Sequence, residues 1–371
     1  MPPKQMRKVE RNQWLRLYQL ADKIKALKAW EWMGIQDCFG VMTNEMHEPC
    51  TVLFCNSESS GFDIRFMIGW KSFYDMVIHL AKPALQEPSF LLELRFVNLL
   101  FLESAQMGEH EQAVLDAIGR KPDAEGKSPV FRSFIPGYHP WQPDSHERDL
   151  LEDAMYQTLG MVLRVESNGD LLKPRFPHEL LIREKRESGE WHDRWVRVKN
   201  PVNEEVEVSV EKRRIYALRG KPLLPITVQM DLILTSLAVQ TLKNKRPQTT
   251  YVLLLVDVSS GKIYSGELMH ATEGVPQMWG HIPERLLSIF EQMNGCPSTI
   301  ELRSDRMANL MRPLSELLSF KMVRRERLSV LEYVAEGLNA SLKGKEDDVL
   351  EEPPSDSPAK DVTATNSECD A

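Results

Sequence analysis

Between Asn12 and Met33 the apolar side chains recur every three or four residues. Trp14, Leu17, Tyr18, Ala21, Ile24 and Leu27 fall on one side of a helix, while Arg16, Asp22, Lys23, Lys25 and Lys28 fall elsewhere. Trp30 and Trp32 close this segment. With Trp14 they are expected in the core, because a thin α/β layer needs bulky apolar cover. Short apolar runs at 39–42, 51–54 and 62–68, separated by polar turns, predict strands. The pattern then predicts a helix over 70–80, a strand over 91–101, a helix over 108–120 and a loop over 121–129. Helices interleaved with strands in this way predict an α+β domain over residues 10–140.

Residues 131–141 hold two prolines, a glycine and four aromatics, which excludes regular helix, and Pro136-Gly137 signals a turn. The aromatics either brace a rigid chain reversal or, with Arg132, Tyr138 and His139, line a pocket. Asp144 followed by Glu147 forms a capping-box pattern for a helix over 145–163. Beyond it, residues 178–186 and 191–198 read as a hairpin about Glu187-Ser188-Gly189, and 205–218 as one or two further strands, making 141–220 a helix-and-hairpin connector. From 221 the order is strand (226–234), strand (251–257), strand (262–269), helix (283–293), strand (298–302), helix (307–318), strand (320–323) and helix (328–338). The run Tyr251 to Asp257 is apolar almost throughout, as a strand covered on both faces would be.

Composition changes this picture at the ends of the chain. The net charge of the 371 residues is −8, but residues 342–371, with nine acids and three lysines, carry −6 and leave only −2 for the rest. A near-neutral folded part gives no field that would favour nucleic acid or a membrane surface. The acidic, Pro/Ser-rich tail from 342 is expected to be disordered. No apolar run approaches a membrane span, and the polar N-terminus lacks the apolar core of a secretory signal, so a cytoplasmic location is expected. Five scattered cysteines, without a CxxC pair, do not form a disulfide framework. Cys38, His47, Cys50 and Cys55 fit no standard zinc spacing, and the cysteines read as small buried hydrophobes.

The order of elements after 221 is that of a ribonuclease-H-like, or integrase-core-like, mixed sheet. In that arrangement an acid on the first strand, another at the end of the fourth and a third on the last helix meet at one edge. Three such carboxylates could hold two divalent metals for phosphodiester chemistry. The candidates by position are Asp231, Asp305 and either Glu332 or Glu336, with Mg²⁺ or Mn²⁺ as the implied cofactor. Asp257 competes as the first acid but precedes Val258-Ser-Ser-Gly261, where it reads as a turn former. Asp305 also stands where a helix N-cap belongs. Asp231 is hardest to explain away, since a mid-strand acid between Met230 and Leu232 is costly if buried and unpaired. A different chemistry is offered by Trp191, Arg194 and Trp195, basic and aromatic residues on a sheet of the kind that binds single-stranded nucleic acid. Acids such as Glu184, Glu187, Glu190, Asp193, Glu205, Glu207 and Glu211 dilute that patch.

The pattern Trp14-x-x-Leu17-Tyr18-x-x-Ala21, Trp30-x-Trp32 and Phe39-Gly40-Val41, with Phe131-Arg-Ser-Phe134 and Pro136-Gly-Tyr-x-Pro-Trp141, resembles an uncharacterised bacterial family, a domain of unknown function. Leu253-Leu-Leu-Val-Asp-Val-Ser-Ser-Gly261, Gly266-Glu-Leu268 and Arg303-x-Asp305-Arg306 resemble a second such domain that accompanies it. The resemblance spans about 12–338 and implies no established activity, cofactor or substrate, so no site residue is carried over from it. The reading is a cytoplasmic binding or regulatory protein with a catalytically silent ribonuclease-H-like domain. A divalent-metal nuclease or strand-transfer enzyme and a nucleic-acid-binding module are its alternatives.

Overall fold

A computed structural model describes residues 6–349 except 44–45, 58–60, 82–91, 175, 177, 202–205, 207, 209 and 240–244. The predicted amphipathic start is helix α1 (Lys8–Ala26), which buries Trp14, Leu17, Tyr18, Ala21 and Ile24 on the expected stripe. Strands β1 (Phe39–Met42), β2 (Cys50–Ser57) and β3 (Gly61–Ile68) follow, then α2 (Trp70–Ala81), β4 (Phe96–Glu103), α3 (Glu109–Ile118) and β5 (Lys127–Phe134). Helix α4 (Ser145–Ser167) starts at the capping box: Asp144 accepts from the Glu147 N–H at 2.8 Å, and Glu147 accepts from the Asp144 N–H at 3.1 Å. The hairpin β6 (Glu179–Lys185) and β7 (Trp191–Arg197) closes this half.

These strands make one sheet of seven, in the order β5-β4-β3-β2-β1-β6-β7. That corrects the boundary drawn at 140. Helix α4 packs on α1, and β6 pairs parallel to β1 with Ile182 opposite Gly40, so the expected connector is the far side of the first sheet. Parallel pairing needs a long crossover between strands, and α4 serves as its last leg, which is why the hairpin could not be placed from local pattern alone. One face of the sheet packs Phe39, Val52, Phe54, Phe66 and Leu99 against α1 and α4, and the other packs Leu53, Met67, Phe96 and Ile182 around Phe73 and Met76 of α2. The expected strands over 205–218 are also corrected: α5 (Lys212–Arg219) occupies that place among the described residues, its Leu218 buried in the second core.

The second half comprises β8 (Leu224–Val239), β9 (Gln248–Asp257), β10 (Ile263–His270), α6 (Val275–Gly280), α7 (Ile282–Gln292), β11 (Pro297–Leu302), α8 (Asp305–Leu318), β12 (Lys321–Arg324) and α9 (Ser329–Val349). Its sheet has the order β10-β9-β8-β11-β12, with β8, β9 and β10 antiparallel in turn and β11 and β12 parallel to β8. Strand β9 is buried on both faces, as its continuous apolar run predicts: Leu253 and Leu255 face α5 to α8, while Val252, Leu254 and Val256 face α9. Together the halves make an α+β protein with two mixed sheets. The tail, expected to be disordered from 342, is helical to Val349 by its backbone, and the remainder from 350 lies outside the described residues.

The two halves join at the aromatic reversal after β5. The Tyr138 N–H donates to the Ile135 carbonyl at 3.0 Å, and Gly137 takes φ +85°, the turn that Pro136-Gly137 signals. The next residues pair with the second half: the His139 N–H donates to Pro247 O at 2.9 Å and the Thr249 N–H to Gly137 O at 3.0 Å. Arg246 reaches back across this seam, donating to the carbonyl and hydroxyl of Ser133 at 2.8 Å each, while the Ser133 hydroxyl donates to buried Glu147 at 2.7 Å. The reversal is therefore structural cornering that also splices the halves. The pocket reading is not supported at Arg132, whose guanidinium is held by Glu111 at 2.6 Å.

A Cβ on Gly137 would lie 2.6 Å from the Cβ of Ala271, in the second half. Gly137→Ala is expected to cost at least about 2 kcal/mol in urea unfolding, from the left-handed backbone and the overlap together. Adding Ala271→Gly should restore only the overlap part. Wild-type stability in Gly137→Ala would contradict this seam.

Candidate functional site

On β8 the apolar Val228 and Met230 face the helical layer α5 to α8, so strand alternation turns Gln229, Asp231 and Ile233 toward α9. On β11, Ile300 and Leu302 likewise face inward with the helices, which turns Glu301 and Arg303 to the α9 side. The parallel register sets Glu301 beside Gln229 and Leu302 beside Met230, so that Arg303 lies next to Asp231. Four polar side chains on two central strands thus share one patch, at the end of β11 and beneath the first turn of α9.

Each acid in the patch is met by a cation or a donor. Asp231 is buried; its Oδ2 accepts from Arg303 Nη2 at 2.9 Å, and its Oδ1 accepts from the Leu232 N–H at 2.9 Å. Arg303 Nη1 lies 3.6 Å from Glu332 Oε1 on α9, so one guanidinium sits between the two carboxylates. Glu332 is also held by Arg327 at 3.0 Å. Buried Glu301 accepts from Gln229 Nε2 at 3.0 Å and from Arg325 Nε at 2.8 Å. Gln229 Oε1 then accepts from the Val330 and Leu331 N–H groups at 3.1 and 3.0 Å, supplying partners to donors that the first turn of α9 cannot satisfy internally. The sheet caps the helix, and the helix supplies Glu332 to the guanidinium.

Of the four carboxylates predicted by position, Asp231 and Glu332 come to the same patch. Asp305 does not join them: its side chain is 86% exposed and pairs with Arg324. Nor is it the N-cap, since Ser304 Oγ accepts from the Met307 N–H at 3.0 Å and Asp305 is the first helical residue. Glu336 is exposed on α9. Among the described residues no three His, Cys, Asp or Glu side chains cluster closely enough to hold a metal ion. Asp257 makes the turn read from its sequence: its Oδ1 accepts the N–H and hydroxyl groups of both Ser259 and Ser260 at 2.6–3.0 Å. The Ser259 hydroxyl, ahead of the Ser260 groups, holds its carboxyl below the ordinary range.

The basic aromatic hairpin is arranged differently from a stacking platform. Trp191 and Trp195 turn toward α4 and pack, half-buried, on the first core, while Val196 packs on the opposite face, and by alternation Arg194 lies on that side. Arg194 is held by Glu184 at 2.9 and 3.2 Å, and Arg183 and Arg164 both hold Asp193. The cysteines are structural in character: Cys50, Cys55 and Cys296 are buried, and burial pushes the Cys55 thiol up to about 12 and that of Cys296 to about 11. His47 makes no metal cluster with them among the described residues, and Cys369 lies outside those residues. The residues that sequence reasoning missed are Gln229, Glu301, Arg303 and Arg325. For the first three the signal was polar residues at i and i+2 along or just past a strand, legible only once the strands are set in register.

Two mixed sheets, spliced at one turn and carrying an ion-paired patch under the last helix, define a two-domain α+β protein. The comparisons agree with that division. Residues 14–183 match a Domain of unknown function (DUF7309) and residues 214–339 a second Domain of unknown function (DUF6930). No curated protein matches the chain.

Replacing Gln229 by Ala should leave the Val330 and Leu331 N–H groups without their acceptor, at a cost of about 1–3 kcal/mol. Amide exchange at Val330 and Leu331 should quicken well before the rest of the second sheet is affected. Unchanged exchange there would show that the sheet does not cap α9.

Proposed function

We propose that this is a binding or regulatory protein whose second domain is a catalytically silent ribonuclease-H-like module. The strand order β10-β9-β8-β11-β12, with three antiparallel strands followed by two parallel ones, supports the ribonuclease-H-like reading. The observation that carries the silent part is Arg303. Its guanidinium lies 2.9 Å from Asp231 and 3.6 Å from Glu332, the two acids that would have to turn their oxygens to metal ions. Two-metal chemistry needs carboxylates held open to cations about 4 Å apart. Here a fixed positive charge occupies the space between them, and the third acid, Asp305, is engaged with Arg324. The patch is spent on holding α9 to the sheet. Binding would then fall to the other surfaces of the two domains.

The test is cleavage of single- and double-stranded DNA and RNA by the full chain with Mg²⁺ or Mn²⁺. Wild type and Asp231→Asn should show the same background rate. Metal-dependent cleavage by wild type that disappears in Asp231→Asn would establish the nuclease alternative instead.

A further inference from the structure

Trp30 and Trp32 are both expected in the core, and the structure leaves Trp30 half-buried and Trp32 exposed. Trp30 lies against Phe62 with ring centroids 4.5 Å apart and the rings tilted by 34°, whereas Trp32 is 41% exposed. The cause is local. Lys28 takes φ +48°, a single turn of tight helix over Ala29–Glu31 follows, and the N–H groups of Trp32 and Met33 both close onto the Ala29 carbonyl at 3.2 and 2.7 Å. Ala29 and Met33 are buried, and Trp32 is turned outward.

The exposed indole is one wall of a cleft of about 320 Å³. The other walls are Asp37, Val165, Glu166 and Gly169. The Asp37 carboxylate accepts from the Gly34 N–H at 2.9 Å and from the Gln36 amide at 3.2 Å, and among the described residues no ion pair involves Asp37 or Glu166. Glu166 stands in the last turn of the 23-residue helix α4, where the backbone presents its negative end and an acid is electrostatically disfavoured. Arg164, the basic residue of that turn, points to Asp193. An exposed aromatic face, two carboxylates and a helix C-terminus therefore surround one cleft, and all three favour a positive charge. The volume is near the lower end of small-molecule sites, which run from roughly 300 to 1,000 Å³.

We infer that this cleft binds a small organic ammonium ion, its cationic head over the Trp32 indole and between Asp37 and Glu166. A weakly hydrated alkylated ammonium suits an aromatic wall better than a hydrated inorganic cation, because Val165 and the indole offer it apolar contact. The chemistry is the same whether the head is free in solution or ends a lysine-type side chain. The site lies on the first domain and does not depend on the silence of the second.

The test is ¹⁹F NMR of the full chain labelled with 5-fluorotryptophan, the Trp32 resonance being assigned by its loss in Trp32→Phe. Tetramethylammonium chloride should shift that resonance saturably, and sodium chloride and the neutral tert-butanol should not. Asp37→Asn and Glu166→Gln, which keep the shape of each side chain, should each weaken binding about threefold to tenfold, as expected for loss of one partly exposed charge contact. Titration with Nα-acetyl-trimethyllysine amide separates the sources: tighter binding than tetramethylammonium identifies a side-chain ligand, and equal binding a free ammonium. The proposal is overturned if no saturable shift occurs, if tert-butanol gives the same shift, or if both charge-neutral variants bind as wild type does.

Discussion

A carboxylate in the middle of a central strand must be answered by a positive charge or lose its own, because the sheet interior solvates it poorly. Asp231 imposes that constraint on the second domain. Arg303 answers it because β11 lies parallel to β8 in a register that sets Leu302 beside Met230. The same register brings Glu301 to Gln229, and Gln229 to the N-terminus of α9. Placement of the last helix, burial of Val252, Leu254 and Val256 beneath it, and neutralisation of the acids are consequences of one pairing. Disturbing the register by one residue would reverse one strand, turning its apolar side chains toward the charged patch under α9 and its charges into the larger core.

The first domain solves a different problem at its end. A sheet of seven strands with layers on both faces must still be tied to a second sheet, and this is done with backbone as well as with charge. Residues 137–139 and 247–249 exchange main-chain hydrogen bonds across the seam, and Arg246 extends the contact to Ser133 and Glu147. Glu147 thereby serves twice, closing the capping box of α4 and receiving the interdomain contact. Partners on both sides satisfy its buried oxygens, which suits a position only 1% exposed.

Much of this was legible in the sequence where the signal is local. Periodicity located α1, the Asp144-Glu147 pair marked the start of α4, and the continuous apolar run from Tyr251 marked a strand buried on both faces. Pro136-Gly137 was read as a turn, but that it splices two sheets depends on a partner loop more than a hundred residues away. The hairpin at Trp191 was found and then misassigned, because parallel pairing with β1 leaves no mark in neighbouring residues. In the candidate site, Asp231 was singled out for the right reason, the cost of a buried acid, yet its partner was not. Arg303 stands beside Asp305 in sequence, and the acid drew attention away from the guanidinium. Trp32 shows the same limit from the other direction, since the left-handed Lys28 and the tight turn after it, which turn Trp32 outward and leave Trp30 half-buried, are not written in the apolar pattern.

The guanidinium of Arg303 occupies the place between Asp231 and Glu332. Paramagnetic broadening by Mn²⁺ reports this most directly, since the ion broadens amide signals near wherever it binds. In the full chain at millimolar Mn²⁺, the amides of Asp231, Leu232, Arg303 and Glu332 should be broadened no more than those elsewhere in the second sheet. Selective, saturable broadening centred on Asp231 and Glu332 would mean that the acids can release the arginine and hold a metal, and would contradict the account.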